Sequence, residues 1–127
     1  MTKPNFFILG APKCGTTALA AALARHPQVF FSAQKEPHFF NSDMAHRFFT
    51  DVAHYETLFA GAGPRHRAVG EGSVWYLYSR DAVRGIEAYC DRPPRYIVCL
   101  RNPVDMAYAL HEELIFSGNE TEGDFET

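Results

Sequence analysis

Residues 6–17 read FFILGAPKCGTT, and this stretch decides the fold of the chain. Its first four residues are all apolar, which is typical of a strand buried on both faces, because such a strand has no polar face to present. Gly10 and Gly15 follow and predict a tight turn, and the alanine-rich segment after them predicts a helix. A glycine-rich turn between a strand and a helix predicts an anion site, since backbone amides at a helix start bind anions.

The remaining chain alternates between short apolar runs and helical segments. The predicted strands are residues 6–9, 29–31, 68–70 and 96–100, and the predicted helices are residues 16–25, part of 48–59, 79–89 and 102–116. This alternation predicts an α/β fold with a mostly parallel sheet. The expected helix caps are Thr16 or Thr17, Ser79 and Asn102, and Gly118 is expected to end the last helix.

Length and composition limit the possible functions. A chain of 127 residues predicts one domain. Its net charge of −3 argues against bulk electrostatic attraction to nucleic acid or to an anionic membrane, so neither is expected as a partner. With 46% hydrophobic and 21% charged residues, the chain is not expected to be globally disordered.

Cysteines, histidines and apolar runs predict the compartment and the absence of a metal. Cys14, Cys90 and Cys99 form no C-x-x-C pair, which argues against a disulfide framework and against a cysteine zinc site. The six histidines show no metal-binding spacing, so no metal is expected. The apolar run at residues 6–9 is too short for a signal peptide, and the run at residues 18–24 is too short to span a membrane. Together these features predict a cytoplasmic protein.

The glycine-rich turn differs from the loop of nucleoside triphosphatases. Gly10 and Gly15 have the spacing of G-x-x-x-x-G-K-[ST], but Thr16 stands where that pattern has its lysine, and Lys13 lies inside the loop instead. No predicted strand ends in an aspartate that could hold magnesium, and the strongest strand is followed by Arg101. The loop is therefore expected to bind a phosphate-like group without the usual lysine and magnesium, and Arg101 is expected to suit a second anion.

Four ordered motifs carry a resemblance to a known family. Residues 4–19, which read PNFFILGAPKCGTTAL, resemble the opening of sulfotransferases that use 3′-phosphoadenylyl sulfate (PAPS). Three further stretches match in the same order: KEPHFF at residues 35–40, GEGS at residues 70–73 with Tyr76-Leu77 after it, and residues 96–108, which include LRNPVD. The resemblance covers residues 4 to about 116.

The resemblance implies a fold and an activity. It implies a three-layer fold of the P-loop type, with residues 1–127 as the first part of a single, longer domain. It implies transfer of a sulfuryl group from PAPS, without a metal, to a hydroxyl or amine; we expect a small-molecule or lipid-like acceptor. Two alternatives stay open: a P-loop kinase that uses ATP and magnesium, and a non-catalytic fragment that binds a nucleotide.

The resemblance also assigns the donor site by position. It implies that Lys13 contacts the bridging or leaving-group oxygen of the phosphosulfate. It also implies that Gly15, Thr16 and Thr17 bind the 5′-phosphate through backbone amides and threonine hydroxyls, with Cys14 of the same loop among the donor-binding residues. Arg101 matches the arginine that holds the 3′-phosphate. Ala109 stands where the family usually has a serine that helps bind the same phosphate. The missing hydroxyl is expected to weaken PAPS binding about ten- to a hundredfold.

Two residues compete for the role of general base. Glu36 matches the carboxylate that removes the acceptor proton in several members of the family, and His38 is the alternative because a histidine does so in others. Glu71 lies at the matching strand end and is expected to have a positioning role only. Gly72 stands where some members have a lysine, so a second lysine contact to the sulfate is not expected.

Overall fold

The computed structural model describes residues 2–34, 36–45 and 47–117. Within them, four strands form one sheet in the order β2-β3-β1-β4, and every neighbouring pair is parallel. The strands are β1 (Phe6–Gly10), β2 (Val29–Phe31), β3 (Ala68–Gly72) and β4 (Arg95–Val98). The predicted α/β fold with a parallel sheet is thereby confirmed. β3 extends two residues further than predicted, and β4 ends before Cys99.

Helices connect the strands and follow the last of them. They are α1 (Thr16–Ala24), α2 (Val52–Glu56) with a 3-10 turn at Thr57–Phe59, α3 (Ala82–Tyr89) and α4 (Pro103–Ser117). α1 joins β1 to β2, and α3 joins β3 to β4. β2 and β3 pair in the sheet and are connected through α2, since a tight hairpin can only join antiparallel strands.

The helix starts differ in part from those that the sequence predicts. Neither Thr16 nor Thr17 caps α1: its N-cap is Gly15, in a left-handed conformation (φ 80°) and without a side-chain hydrogen bond. A helix start without a capping side chain leaves its amides to water or to a bound anion. Asn102 acts as predicted, because its Oδ1 accepts a 2.9 Å hydrogen bond from the Val104 amide. Gly118 lies outside the described residues.

Ser79 lies before the helix that it was expected to cap. The N-cap of α3 is Asp81, and its side chain makes no capping hydrogen bond. The Ser79 hydroxyl nevertheless accepts hydrogen bonds from the amides of Asp81 (3.2 Å) and Ala82 (3.0 Å). Ser79 therefore satisfies amides at the helix start from two residues further back than a regular N-cap.

The main core lies against β1, one of the two inner strands of the sheet. Phe7 of β1 is fully buried and meets Phe40 edge to face, with ring centroids 5.9 Å apart. Phe40 in turn packs edge to face on Tyr55, and Phe39 stacks on the same tyrosine at 4.5 Å. These contacts anchor the segment 36–40, which has no regular secondary structure, on the protein interior. The core therefore fixes the segment that carries Glu36 and His38.

Candidate functional site

The predicted site residues follow the carboxyl ends of the strands. The glycine-rich loop follows β1, Arg101 follows β4, Val74 follows β3, and Glu36 follows β2. Because the strands are parallel, their carboxyl ends lie at one edge of the sheet, where open α/β sheets bind their ligands. Gly10 is required at this edge, since a Cβ there would lie 2.7 Å from the carbonyl oxygen of Val74 and its φ is +151°.

A cavity of about 580 Å³ opens at this edge. We call it the edge cavity, and its lining residues are Pro12, Lys13, Gly15, Thr16, Thr17, Ala18, Ala21, Glu36, Val74, Arg101 and Glu113. The lining combines the glycine-rich loop, the first turns of α1, and residues beside or on α4. Its volume lies in the range of sites that bind small molecules.

Lys13 and Arg101 are neighbours at the mouth of this cavity. The Arg101 guanidinium Nη1 donates a 2.8 Å hydrogen bond to the backbone carbonyl of Lys13. The β1–β4 pairing continues beyond the strands up to these residues, because Ala11 donates to the Cys99 carbonyl and Cys99 donates to the Gly10 carbonyl, both at 2.8 Å. The backbone pairing therefore brings the Arg101 guanidinium to the backbone of Lys13.

Three residues have an unusual backbone conformation. Lys13, Glu36 and His38 have φ angles of 58°, 64° and 47°, and within the described residues they are the non-glycine residues with positive φ. Such a conformation costs about 1–3 kcal/mol per residue and clusters at functional sites. These are the same three residues that the family resemblance suggests as catalytic candidates, and the backbone conformation is an observation independent of that resemblance.

Glu36 faces the edge cavity and is held from two sides. Its amide donates a 2.8 Å hydrogen bond to the carbonyl of Gly72, and its Oε1 accepts one of 3.2 Å from the amide of Val74. The side chain is half-buried and lines the cavity together with Lys13 and Arg101. The structure therefore places the base candidate Glu36 in the same cavity as the cations Lys13 and Arg101.

His38 lies elsewhere. It is 1% exposed and lies outside the edge cavity. Its amide donates a 3.0 Å hydrogen bond to the hydroxyl of Ser73, and its ring meets the Tyr76 ring edge to face at 6.3 Å. The structure thus separates the two base candidates: Glu36 lines the cavity and His38 is enclosed in the protein.

Glu71 is a fully buried carboxylate that accepts three hydroxyl hydrogen bonds. Oε1 accepts from Ser73 at 2.8 Å, and Oε2 accepts from Tyr55 at 2.7 Å and from Tyr76 at 2.8 Å. Burial raises the pKa of Glu71 from its ordinary 4.5 to about 7, against the lowering effect of these hydrogen bonds, and the charge of Glu36 raises it further.

Two of these hydroxyls also hold the segment that carries the base candidates. The Tyr76 hydroxyl accepts a 3.0 Å hydrogen bond from the Phe39 amide, and the Ser73 hydroxyl accepts the His38 amide. Glu71 is thereby connected to the segment 36–40 through hydroxyls that donate to it and accept from the segment. Through these hydrogen bonds Glu71 could position the segment 36–40, and its positioning role stays a prediction.

The residues predicted to bind the donor are brought together only in part. Lys13, Arg101 and the residues Gly15, Thr16 and Thr17 line the edge cavity. Cys14 does not line it, and its thiol donates to the carbonyl of Pro12 at 3.4 Å. Ala109 lies on α4, also outside the lining.

Sequence reasoning missed Glu113. This residue of α4 lines the edge cavity, and its Oε1 lies 3.6 Å from the Lys13 ammonium. A weak signal was present, because Glu113 is four residues after Ala109 and so shares a helix face with the position expected at the donor phosphate. The pairing with Lys13 itself connects positions a hundred residues apart and has no local signal.

The described part of the chain contains no cluster of metal-binding side chains and no disulfide. Across residues 2–34, 36–45 and 47–117, no three histidine, cysteine, aspartate or glutamate side chains are grouped so that they could hold a metal ion. Cys14, Cys90 and Cys99 are free thiols.

Comparison with known proteins identifies the family. Residues 4–108 match the profile described as "Sulfotransferase family". The chain belongs to the sulfotransferase family. A crystal structure of a sulfotransferase from Alicyclobacillus acidocaldarius superposes with a TM-score of 0.87 at 36% sequence identity, over 99% of this chain and 55% of that one. The family resemblance is confirmed, and the chain spans about half the length of this sulfotransferase.

Curated sulfotransferases match shorter segments. Human carbohydrate sulfotransferase 15 is 63% identical over 35 residues, which are 28% of this chain and 6% of that protein. The membrane-associated sulfotransferase kil1 of Dictyostelium discoideum is 28% identical over 102 residues, which are 80% of this chain and 21% of that protein. The chain therefore corresponds to a small part of these relatives.

The prediction of a cytoplasmic protein is wrong by this comparison. A sulfotransferase that matches most of the chain is named as membrane-associated. The prediction rested on cysteine usage and the length of apolar runs, and these are properties of a folded domain rather than of the compartment in which the domain works. In the part of the chain that the structure describes, no helix has the length and hydropathy to cross a membrane.

Proposed function

We propose that this sulfotransferase moves a sulfuryl group from PAPS to a hydroxyl or amine acceptor. The observation that carries the proposal is that Lys13 and Arg101 line one cavity beside the glycine-rich loop, where the Arg101 guanidinium donates a 2.8 Å hydrogen bond to the backbone carbonyl of Lys13. PAPS carries anionic groups at both ends of its adenosine, a phosphosulfate at the 5′ end and a phosphate at the 3′ end. Two cations that follow neighbouring strands suit such a ligand.

The donor would be held by the loop and by Arg101. Gly15, Thr16 and Thr17 line the cavity at the start of α1, where the positive end of the helix dipole favours an anion, and their amides and hydroxyls would bind the 5′-phosphate. The guanidinium of Arg101 offers a planar set of donors that suits the 3′-phosphate. Cys14 and Ala109 lie outside the lining, so in this proposal they contribute no side-chain contact to the donor.

The transfer step assigns different work to Lys13 and Glu36. The acceptor oxygen or nitrogen forms a bond to sulfur while the bond between sulfur and the 5′-phosphate oxygen breaks, and Glu36 takes the acceptor proton. Negative charge grows on the departing phosphate, so the Lys13 ammonium stabilises the transition state more than the ground state. We propose Glu36 rather than His38 as the base because Glu36 lines the cavity and His38 does not.

The acceptor class is proposed more broadly than the donor. The human relative is named as a carbohydrate sulfotransferase, so carbohydrate hydroxyls belong among the first acceptors to test. Small alcohols, phenols, amines and lipid-like hydroxyl compounds complete the panel.

Calorimetric titration of the full-length protein tests the donor. We expect adenosine 3′,5′-bisphosphate, the product left by PAPS, to bind at least tenfold more tightly than ATP with Mg²⁺. Tighter binding of ATP with Mg²⁺ would instead support a kinase. Release of adenosine 3′,5′-bisphosphate from PAPS is then measured with each acceptor, and tight nucleotide binding without release would indicate a non-catalytic nucleotide-binding protein.

A further inference from the structure

Lys13, the proposed cation for the departing phosphate, forms an ion pair with a carboxylate of the same chain. Glu113 Oε1 lies 3.6 Å from Lys13 Nζ, and the two side chains are 39% (Lys13) and 52% (Glu113) exposed. Both line the edge cavity. Within the described residues this is the ion pair that Lys13 forms, so an anion that binds the ammonium meets the Glu113 carboxylate beside it.

The charged side chains of the edge cavity balance one another. Lys13 and Arg101 supply two positive charges, and Glu36 and Glu113 supply two negative charges. A nucleotide with several negative charges is therefore attracted strongly only if one carboxylate moves away from the cations. Glu36 is tied to the amide of Val74, whereas Glu113 stands on the exposed side of α4, where water can solvate its carboxylate after displacement.

We propose that Glu113 is a specificity-determining residue of the donor site, whose carboxylate stays on Lys13 until an anionic group at the 5′ end of the nucleotide replaces it. This inference rests on the proposed function of the edge cavity. It follows that ligands with a 5′-anion must break the pair, while a ligand with only a 3′-phosphate binds beside Arg101 and leaves the pair intact. Glu113 thus lowers the affinity of the first kind of ligand and not of the second.

The size of the effect follows from the exposure of the pair. Ion pairs between largely exposed side chains are weak, so their removal changes a binding constant by up to about fivefold. Glu113→Gln keeps the shape of the side chain and removes its charge. Glu112→Gln is the matched control, because Glu112 is the neighbouring exposed residue of α4, carries the same charge and does not line the cavity.

The test is calorimetric binding to the full-length protein with three probes: adenosine 3′,5′-bisphosphate, adenosine 5′-monophosphate and adenosine 3′-monophosphate. Glu113→Gln is expected to tighten the first two about three- to fivefold and to leave the third unchanged, and Glu112→Gln is expected to change none. Equal tightening by both variants would show a long-range charge effect and overturn the proposal. Weaker binding by Glu113→Gln would overturn it as well, since Glu113 would then support the binding geometry of Lys13.

A second comparison isolates the role of Lys13. In a Lys13→Ala background, Glu113→Gln is expected to have no effect on the affinity for the 5′-monophosphate, because no ammonium is left to compete for. A threefold or larger effect in that background would contradict the proposal. The proposed function is tested separately: it fails if the wild-type protein binds ATP with Mg²⁺ more tightly than adenosine 3′,5′-bisphosphate. The role of Glu113 is tested by the difference between the two monophosphates, whichever nucleotide the wild type prefers.

Discussion

The Arg101 guanidinium donates a hydrogen bond of 2.8 Å to the backbone carbonyl of Lys13, although 88 positions separate the two residues in the sequence. The contact exists because β1 and β4 are neighbours in the sheet and their carboxyl ends point to the same edge. Both residues line the edge cavity, so the cation expected at the 5′ end of the donor and the cation expected at its 3′ end belong to one site. The proposed use of PAPS depends on this arrangement.

Lys13→Ala is expected to lower turnover of PAPS by at least about a hundredfold, because the charge that grows on the departing phosphate then lacks its ammonium. The rate of adenosine 3′,5′-bisphosphate release measures the loss. Lys3→Ala is the control, since the Lys3 amine contacts Asp91 and the Tyr89 carbonyl and lies outside the edge cavity. Similar rates for the two variants would remove Lys13 from the transfer step.

Glu36→Gln is expected to reduce turnover by a factor of about 10² to 10⁴, the usual contribution of a general base. Binding of adenosine 3′,5′-bisphosphate is expected not to weaken, because the base acts on the acceptor. Turnover and calorimetric affinity are measured on the same samples, with Glu87→Gln as an exposed control of the same chemistry. Full activity of Glu36→Gln would leave His38 as the remaining candidate for the base.

Tyr76→Phe is expected to lower the free energy of unfolding by about 1–3 kcal/mol, because it removes a donor to buried Glu71 and the acceptor of the Phe39 amide. Urea unfolding measures the difference. Tyr78→Phe removes the same hydroxyl from a residue that is 77% exposed and is expected to be nearly neutral. Equal stability of the two variants would show that the buried hydroxyl does not hold the segment 36–40.

The titration of Glu71 is expected to make stability depend on pH. The pKa of Glu71 is about 7 in the folded protein and close to its ordinary 4.5 in the unfolded chain, so the folded state binds more protons between these values. The free energy of unfolding therefore falls as pH rises from about 4.5 to 7, by on the order of 3 kcal/mol, and then levels off.

Comparison with Glu71→Gln isolates this contribution from the other titrating groups. As pH rises from 4.5 to 8, the unfolding free energy of the wild type is expected to fall relative to that of the variant, which has no carboxyl group to titrate at this position. Urea titrations across that range measure it. Parallel pH profiles for the two proteins would mean that Glu71 titrates near its ordinary pKa.

Most of the fold could be predicted because its signals are local. The apolar run before Gly10 and the proline after Asn102 each lie within a few residues of the element that they define. Parallel pairing follows from the alternation of strands and helices. The α1 cap was missed because the left-handed conformation of Gly15 starts the helix directly and leaves Thr16 inside it.

The site could be predicted only as far as its residues lie in recognisable motifs. The ion pair of Lys13 with Glu113 joins the first loop to the last helix, and nothing near either residue indicates it. The environment of Glu71 depends on Tyr55, which lies sixteen residues away in a helix of only five residues. Contacts of this kind result from tertiary packing, and a local sequence pattern cannot predict them.

The central claim is that one cavity binds the two anionic ends of one nucleotide with two different cations. The most direct measurement is calorimetric binding of adenosine 5′-monophosphate and adenosine 3′-monophosphate to Lys13→Ala and Arg101→Ala, with exposed Arg84→Ala as control. The account predicts that Arg101→Ala weakens the 3′-monophosphate at least about tenfold and spares the 5′-monophosphate, and that Lys13→Ala does the reverse. Equal losses for both ligands in both variants, or no loss in either, would contradict it.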